Sequence, residues 1–340
     1  MNLCNPMKNR AGGDNSHSTA GERLLWLDSA RGIGMVLVVL GHAISDTAMD
    51  SPLLSRLFYF IYSFHMPLFF FISGYCGSKA IKCNTLSDKS KYILSRFLRL
   101  MVPYIFIGVC YIPLKVVLAK IASTPVQLNG VLFEMLKGNN PNYQLWTLYV
   151  LFFTALIVCV LANQKNNEIL MMAIFGIFQI LSVEFQLGIV GRILFELPFF
   201  YAGILCKKHN WLEEKLNKGI GMTALTLLVI INWSVVLSGA HWLKIATGYF
   251  GILASCFVAM QITKTTRNPF VTIGKYGMDI YILANAVQVV VRTVFLKALG
   301  MNGMVCCILS TVLGVFVPII ISKYFVRKLA WTRKLVLGMD

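Results

Sequence analysis

Ten apolar stretches recur between residues 27 and 322, most of them long enough to reach across a hydrocarbon layer about 30 Å thick. They fall at 27–46, 58–78, 97–119, 145–163, 169–183, 189–206, 222–238, 245–262, 271–296 and 301–322. Lipid offers no partner to backbone N–H and C=O groups, so each stretch must satisfy its own hydrogen bonds as a helix. The expected fold is therefore all-α, a polytopic membrane bundle of about ten transmembrane helices. Composition agrees: 57% of the 340 residues are apolar and 13% charged, against roughly 45–50% and about 25% in soluble chains. A water-facing enzyme of one or two domains is excluded, and the lack of any Gly or Pro period excludes a fibrous or disordered chain.

Connections between the stretches are short, with no soluble domain among them and no internal repeat visible. The chain divides into a polar tail at 1–22, a membrane domain at 23–325 and a basic tail at 326–340. The first tail has no apolar core, so no cleavable leader is expected and the first span serves as targeting signal. The net charge is +17, and without a nucleic-acid-reading motif it reports topology rather than RNA or DNA. With the N-terminus inside, 22 Lys and Arg fall on the cytoplasmic side and 6 on the other, which predicts two cytoplasmic termini. Cysteines lie mostly inside apolar runs without metal-ligand spacing, so they read as small core residues, and no metal is expected.

Ionisable groups inside spans carry the functional information, because each costs roughly 2.5–3.5 kcal/mol to insert and needs a partner, a cavity or a task. Arg31 and His42 stand eleven positions apart in the first span, and eleven helical steps return to nearly the same direction. One helix face thus carries an arginine near the cytoplasmic surface and a histidine about 16 Å further along the axis. Asp46 follows His42 by one turn, within reach of its imidazole. His65 enters with the second span at a similar depth, and Pro67 beside it frees a carbonyl that protein or water must meet. Arg96 and Arg99, three apart at the start of the third span, could together clasp a phosphate or pyrophosphate. Arg192 and Glu196 are spaced to pair with each other. Asp279 could partner Arg31 or Arg292.

The order of these segments resembles the integral membrane acyltransferase family often called acyltransferase family three, particularly its sugar O-acetylase branch of fucose 4-O-acetylase-like proteins. Arg31 and His42 meet its Arg-x10-His pattern, with Asp28 before and Gly32 directly after. Ser63 to Tyr75, reading SFHMPLFFFISGY, is the most specific piece, and Arg96-x-x-Arg99 matches the double-arginine motif. Gln144 to Tyr149 and Ile273 to Tyr281 are weaker echoes. Where many relatives end the late motif with histidine, this chain has Asn285.

The resemblance implies transfer of an acyl group, usually acetyl, from acetyl-CoA as cytoplasmic co-substrate to a sugar hydroxyl of a surface glycan or its lipid-linked precursor. It implies a multi-pass protein of the plasma membrane, the inner membrane in a bacterium, with lipids and acyl-CoA as partners. His42 would take the hydroxyl proton, with Asp46 or His65 orienting it or holding the acceptor. Arg31 would neutralise charge near the thioester, and Arg96 with Arg99 would hold coenzyme A phosphates. The rival reading is a proton-coupled transporter or flippase of an anionic or glycan-linked lipid.

Overall fold

The computed structural model describes residues 24–117, 130–162, 167–185, 187–238, 242–263 and 268–339. The polar tail at 1–22 lies outside the described residues. In chain order the helices are α1 (Leu25–Thr47), α2 (Pro52–Tyr62), α3 (His65–Cys76), α4 (Leu86–Arg96), α5 (Val102–Val117), α6 (Val131–Leu136), α7 (Trp146–Leu161) and α8 (Glu168–Glu184). They continue with α9 (Gly188–Lys208), α10 (Trp211–Lys215), α11 (Lys218–Ser238), α12 (Leu243–Ile262), α13 (Pro269–Lys275), α14 (Gly277–Val291), α15 (Gly303–Ile321) and α16 (Ala330–Leu337). The described residues form an all-α polytopic bundle. Eight helical stretches among them are long and apolar enough to cross a membrane. The two remaining apolar stretches are also helical, as α8 and α11.

Starts are written locally. Asn167, Asn268 and Asn302 each accept a backbone N–H of the first turn of α8, α13 and α15 through their side chains, and Pro52 and Pro269 open α2 and α13. The second expected span is broken at Phe64 (φ −142°), which separates α2 from α3. Pro67 cannot donate to the Ser63 carbonyl, and the Thr247 hydroxyl from α12 donates to it instead at 3.3 Å. The chain is π-helical at Phe97–Met101, Arg292–Ala298 and Ser322–Val326, and wider turns of this kind occur frequently at functional sites.

Helix α1 is the hub, packed by α2, α3, α12, α13, α14 and α15. Its closest neighbour is α13, since a Cβ on Gly32 would overlap the Phe270 carbonyl and one on Gly274 the Asp28 carbonyl. Such small-residue crossings let membrane helices approach to backbone contact. An equivalent crossing joins α3 to α9 through Gly74 and Gly203. Residues 330–337, which the sequence assigns to a tail, form α16, and Val336, Leu337 and Met339 are buried against the bundle.

Candidate active site

One cavity of about 480 Å³ runs along α1, lined on that helix by Arg31, Met35, Val38 and His42. The spacing of four, three and four residues is one helical face, so the face read from the sequence is the wall of a single space. Arg31 and His42 sit about 16 Å apart along the axis, and they give the cavity two chemically different ends.

At one end are both histidines. His65 also lines the cavity, and the Tyr62 ring contacts the two imidazoles, with centroids 6.2 Å from His42 and 4.7 Å from His65. The break before α3 leaves the Ile61 carbonyl facing His65 Nδ1 at 2.8 Å. A carbonyl only accepts, so Nδ1 bears the proton and neutral His65 keeps its lone pair on Nε2. His42 Nδ1 lies 3.2 Å from Tyr143 Oη and 3.4 Å from Tyr62 Oη. Tyr143 is held by a short turn at Tyr143–Leu145, where the Tyr281 hydroxyl donates to the Gln144 carbonyl. Gln144 Nε2 donates to Asn285 Oδ1 at 3.3 Å, and Asn285 Nδ2 to Asn142 Oδ1 at 3.1 Å. Asn285 therefore fixes the turn that carries Tyr143.

Arg31, Arg99, Lys275 and Arg327 line the other end together with Asp279. Arg31 Nη1 pairs with Asp28 Oδ1 at 3.2 Å and Nη2 donates to Cys76 Sγ at 2.7 Å. Arg327 clasps Asp279 at two points, Nη2 to Oδ2 at 2.6 Å and Nε to Oδ1 at 3.0 Å. Arg99 lines the cavity without an ion pair among the described residues. Among the described residues, four cations against Asp28 and Asp279 leave an excess of positive charge suited to an anion.

Several sequence expectations change. Asp46 does not hold His42; its carboxylate pairs with Arg292 Nη1 at 3.3 Å, because the π-helical segment that follows α14 brings that guanidinium alongside. Arg96 does not share the cavity with Arg99. The π turn begins at Phe97, so the two side chains diverge, and Arg96 lies over the Tyr92 ring at 5.0 Å. Arg192 lines the cavity and stacks on Trp146 at 4.6 Å rather than pairing with Glu196, which is buried with Oε2 unpartnered among the described residues. Asp279 partners Arg327, not Arg31 or Arg292. Sequence reasoning missed Tyr62, Tyr143 and Arg327. Tyr62 stands one turn before His65 and Tyr143 directly before the Gln144 motif, so both adjoin recognisable signals.

The Asp46–Arg292 pair makes a checkable statement. Breaking a buried pair costs about 3–5 kcal/mol, and here about 2 kcal/mol is expected because Asp46 keeps 28% of its side chain exposed. Asp46→Ala should lower the thermal stability of the extracted protein, and adding Arg292→Ala should recover part of the loss. Absence of recovery would show that the carboxylate serves another partner.

Residues 24–323 match the model of a family described as "Acyltransferase domain". Among curated proteins, the chain is 24% identical to Nodulation protein NolL of Mesorhizobium japonicum, across 93% of this chain and 90% of that protein. It is 39% identical to Nodulation protein NolL of Sinorhizobium fredii over 82 residues, 22% of each chain. No solved structure matches.

Proposed function

The chain belongs to acyltransferase family three, and from that premise we propose that it moves an acyl group, acetyl foremost, from acyl-CoA to a hydroxyl of a surface glycan or its lipid-linked precursor. The observation that carries this reading is the cavity that joins Arg99, which has no ion pair among the described residues, and its cationic neighbours to the His42–Tyr62–His65 cluster. A thioester donor has the matching layout, with phosphates at one end and the reactive carbonyl at the far end of a flexible arm. In this reading the cationic end faces the cytoplasm, where acyl-CoA is found, and the membrane is the plasma membrane.

In the tautomer this chemistry requires, His42 Nδ1–H donates to Tyr143 Oη and leaves Nε2 as the base. The acceptor oxygen attacks the thioester carbonyl, and its proton passes to His42 Nε2. The carbon–sulfur bond then breaks and the departing thiolate of coenzyme A takes up a proton. His65, with its Nε2 lone pair, would accept a hydrogen bond from the acceptor. Arg31 would stabilise negative charge toward the donor side, and Arg99 with Lys275 would hold the phosphates.

Membranes carrying the protein should release free coenzyme A from acetyl-CoA in the presence of extracted lipid-linked glycan, with one acetyl mass added per modified unit. No thioester consumption with any acceptor, alongside movement of glycan-lipid between leaflets, would replace this reading by the transporter. Arg99→Ala should raise KM for acetyl-CoA about tenfold or more with kcat little changed, since a charged contact made equally in ground and transition states is lost. A fall in kcat with KM intact would place Arg99 at the reacting atoms.

A further inference from the structure

The segment after α15 folds back beneath the cationic end of the cavity instead of leaving the bundle. It begins with the π turn Ser322–Val326, whose Ser322 hydroxyl donates to Asp279 Oδ1. Arg327 follows, held by Asp279 at two points, by the Lys275 carbonyl at 3.0 Å and by the Tyr276 ring at 4.1 Å. The chain turns, forms α16, and ends its last turn at Gly338 (φ +60°). Gly338 sits against the backbone of Arg99, so closely that a Cβ there would overlap the Arg99 carbonyl and Cα. Met339, next in sequence, lines the cavity.

Two independent contacts therefore converge on the anion-binding end. Asp279 fixes Arg327 in the cavity wall, and Gly338 backs the π turn that presents Arg99. A buried ion pair of this kind adds little to stability against an apolar replacement of equal shape, so its geometry matters more than its energy. We propose that residues 322–339 are a positioning strap for the donor site, with Asp279 and Gly338 as positioning residues that set Arg327 and Arg99 for the phosphate-bearing end of a thioester donor. This rests on the acyl-CoA reading above and adds that the grip on the donor depends on this strap.

The test compares two donors in membranes containing the full chain: acetyl-CoA, and S-acetyl-N-acetylcysteamine, which has the thioester but no phosphate. Asp279→Asn and Gly338→Val should each raise KM for acetyl-CoA about tenfold; at Gly338, which does not line the cavity, turnover of the phosphate-free thioester stays within about twofold of the unsubstituted chain. Arg327→Lys, which keeps the charge and loses the two-point clasp, should fall between. Equal losses with both donors would overturn the proposal, because the strap would then only hold the bundle together. An unchanged KM in all three variants would overturn it as well. If the unsubstituted protein consumes neither donor, the acyl-CoA reading itself fails, a result distinguishable from the other two.

Discussion

Replacing His42 with alanine should lower acyl transfer by about 10²–10⁴-fold, the span associated with losing a general base. The effect is expected on kcat more than on KM, because the imidazole acts as the hydroxyl proton leaves and not while the donor's phosphates are held. The fold should survive, since His42 is half-buried on a cavity wall and not in a packed core. Its contacts are the hydroxyls of Tyr62 and Tyr143, and the open cavity admits water to meet them once the ring is gone. Tyr143→Phe should be milder, because it removes the group that orients the ring and leaves the base in place. Near-normal turnover by His42→Ala at equal membrane abundance would take the imidazole out of the chemistry, whatever the family.

The largest expected effect on stability lies at Gly274. A Cβ at that position would overlap the Asp28 carbonyl and crowd the Gly32 backbone N. Both obstacles are backbone atoms, which cannot rotate aside as a side chain can. Valine would have to push α13 away from α1, opening a contact between the hub and a close neighbour. Overpacking a well-fitted interface costs about 1–3 kcal/mol when side chains can yield, and about 3 kcal/mol or more is expected here. Thermal unfolding of detergent-extracted Gly274→Val should show a clearly lowered midpoint or little folded protein. Because Asp28 pairs with Arg31 and Gly274 adjoins Lys275 in the cavity wall, any surviving protein should also bind donor poorly. An unfolding midpoint equal to that of the unsubstituted chain would mean that the two helices are not in backbone contact.

What lay within one helix was legible in advance. The shared face of Arg31 and His42 follows from a rigid repeat of 3.6 residues, and the structure finds that face lining one cavity. The disturbance at His65 follows from the missing N–H of Pro67, and the helix is interrupted there, at Phe64. The third span shows where such reasoning stops. Arg96 and Arg99 share a face only if the winding between them is α-helical, and the π turn from Phe97 sends one to Tyr92 and the other to the cavity.

The sequence by itself determined that the chain is a bundle of apolar helices and which polar side chains leave the first helix in a common direction. These depend on backbone hydrogen bonding and helical period, both local. Only the tertiary structure decided which charge meets which: Asp46 with Arg292, Asp279 with Arg327, Arg192 with Trp146. The physical reason is reach. A long ionised side chain in a medium of low dielectric turns to the nearest group able to satisfy it, and that group belongs to whichever helix packing brings alongside, as Arg292 is brought to Asp46 from the far end of the chain.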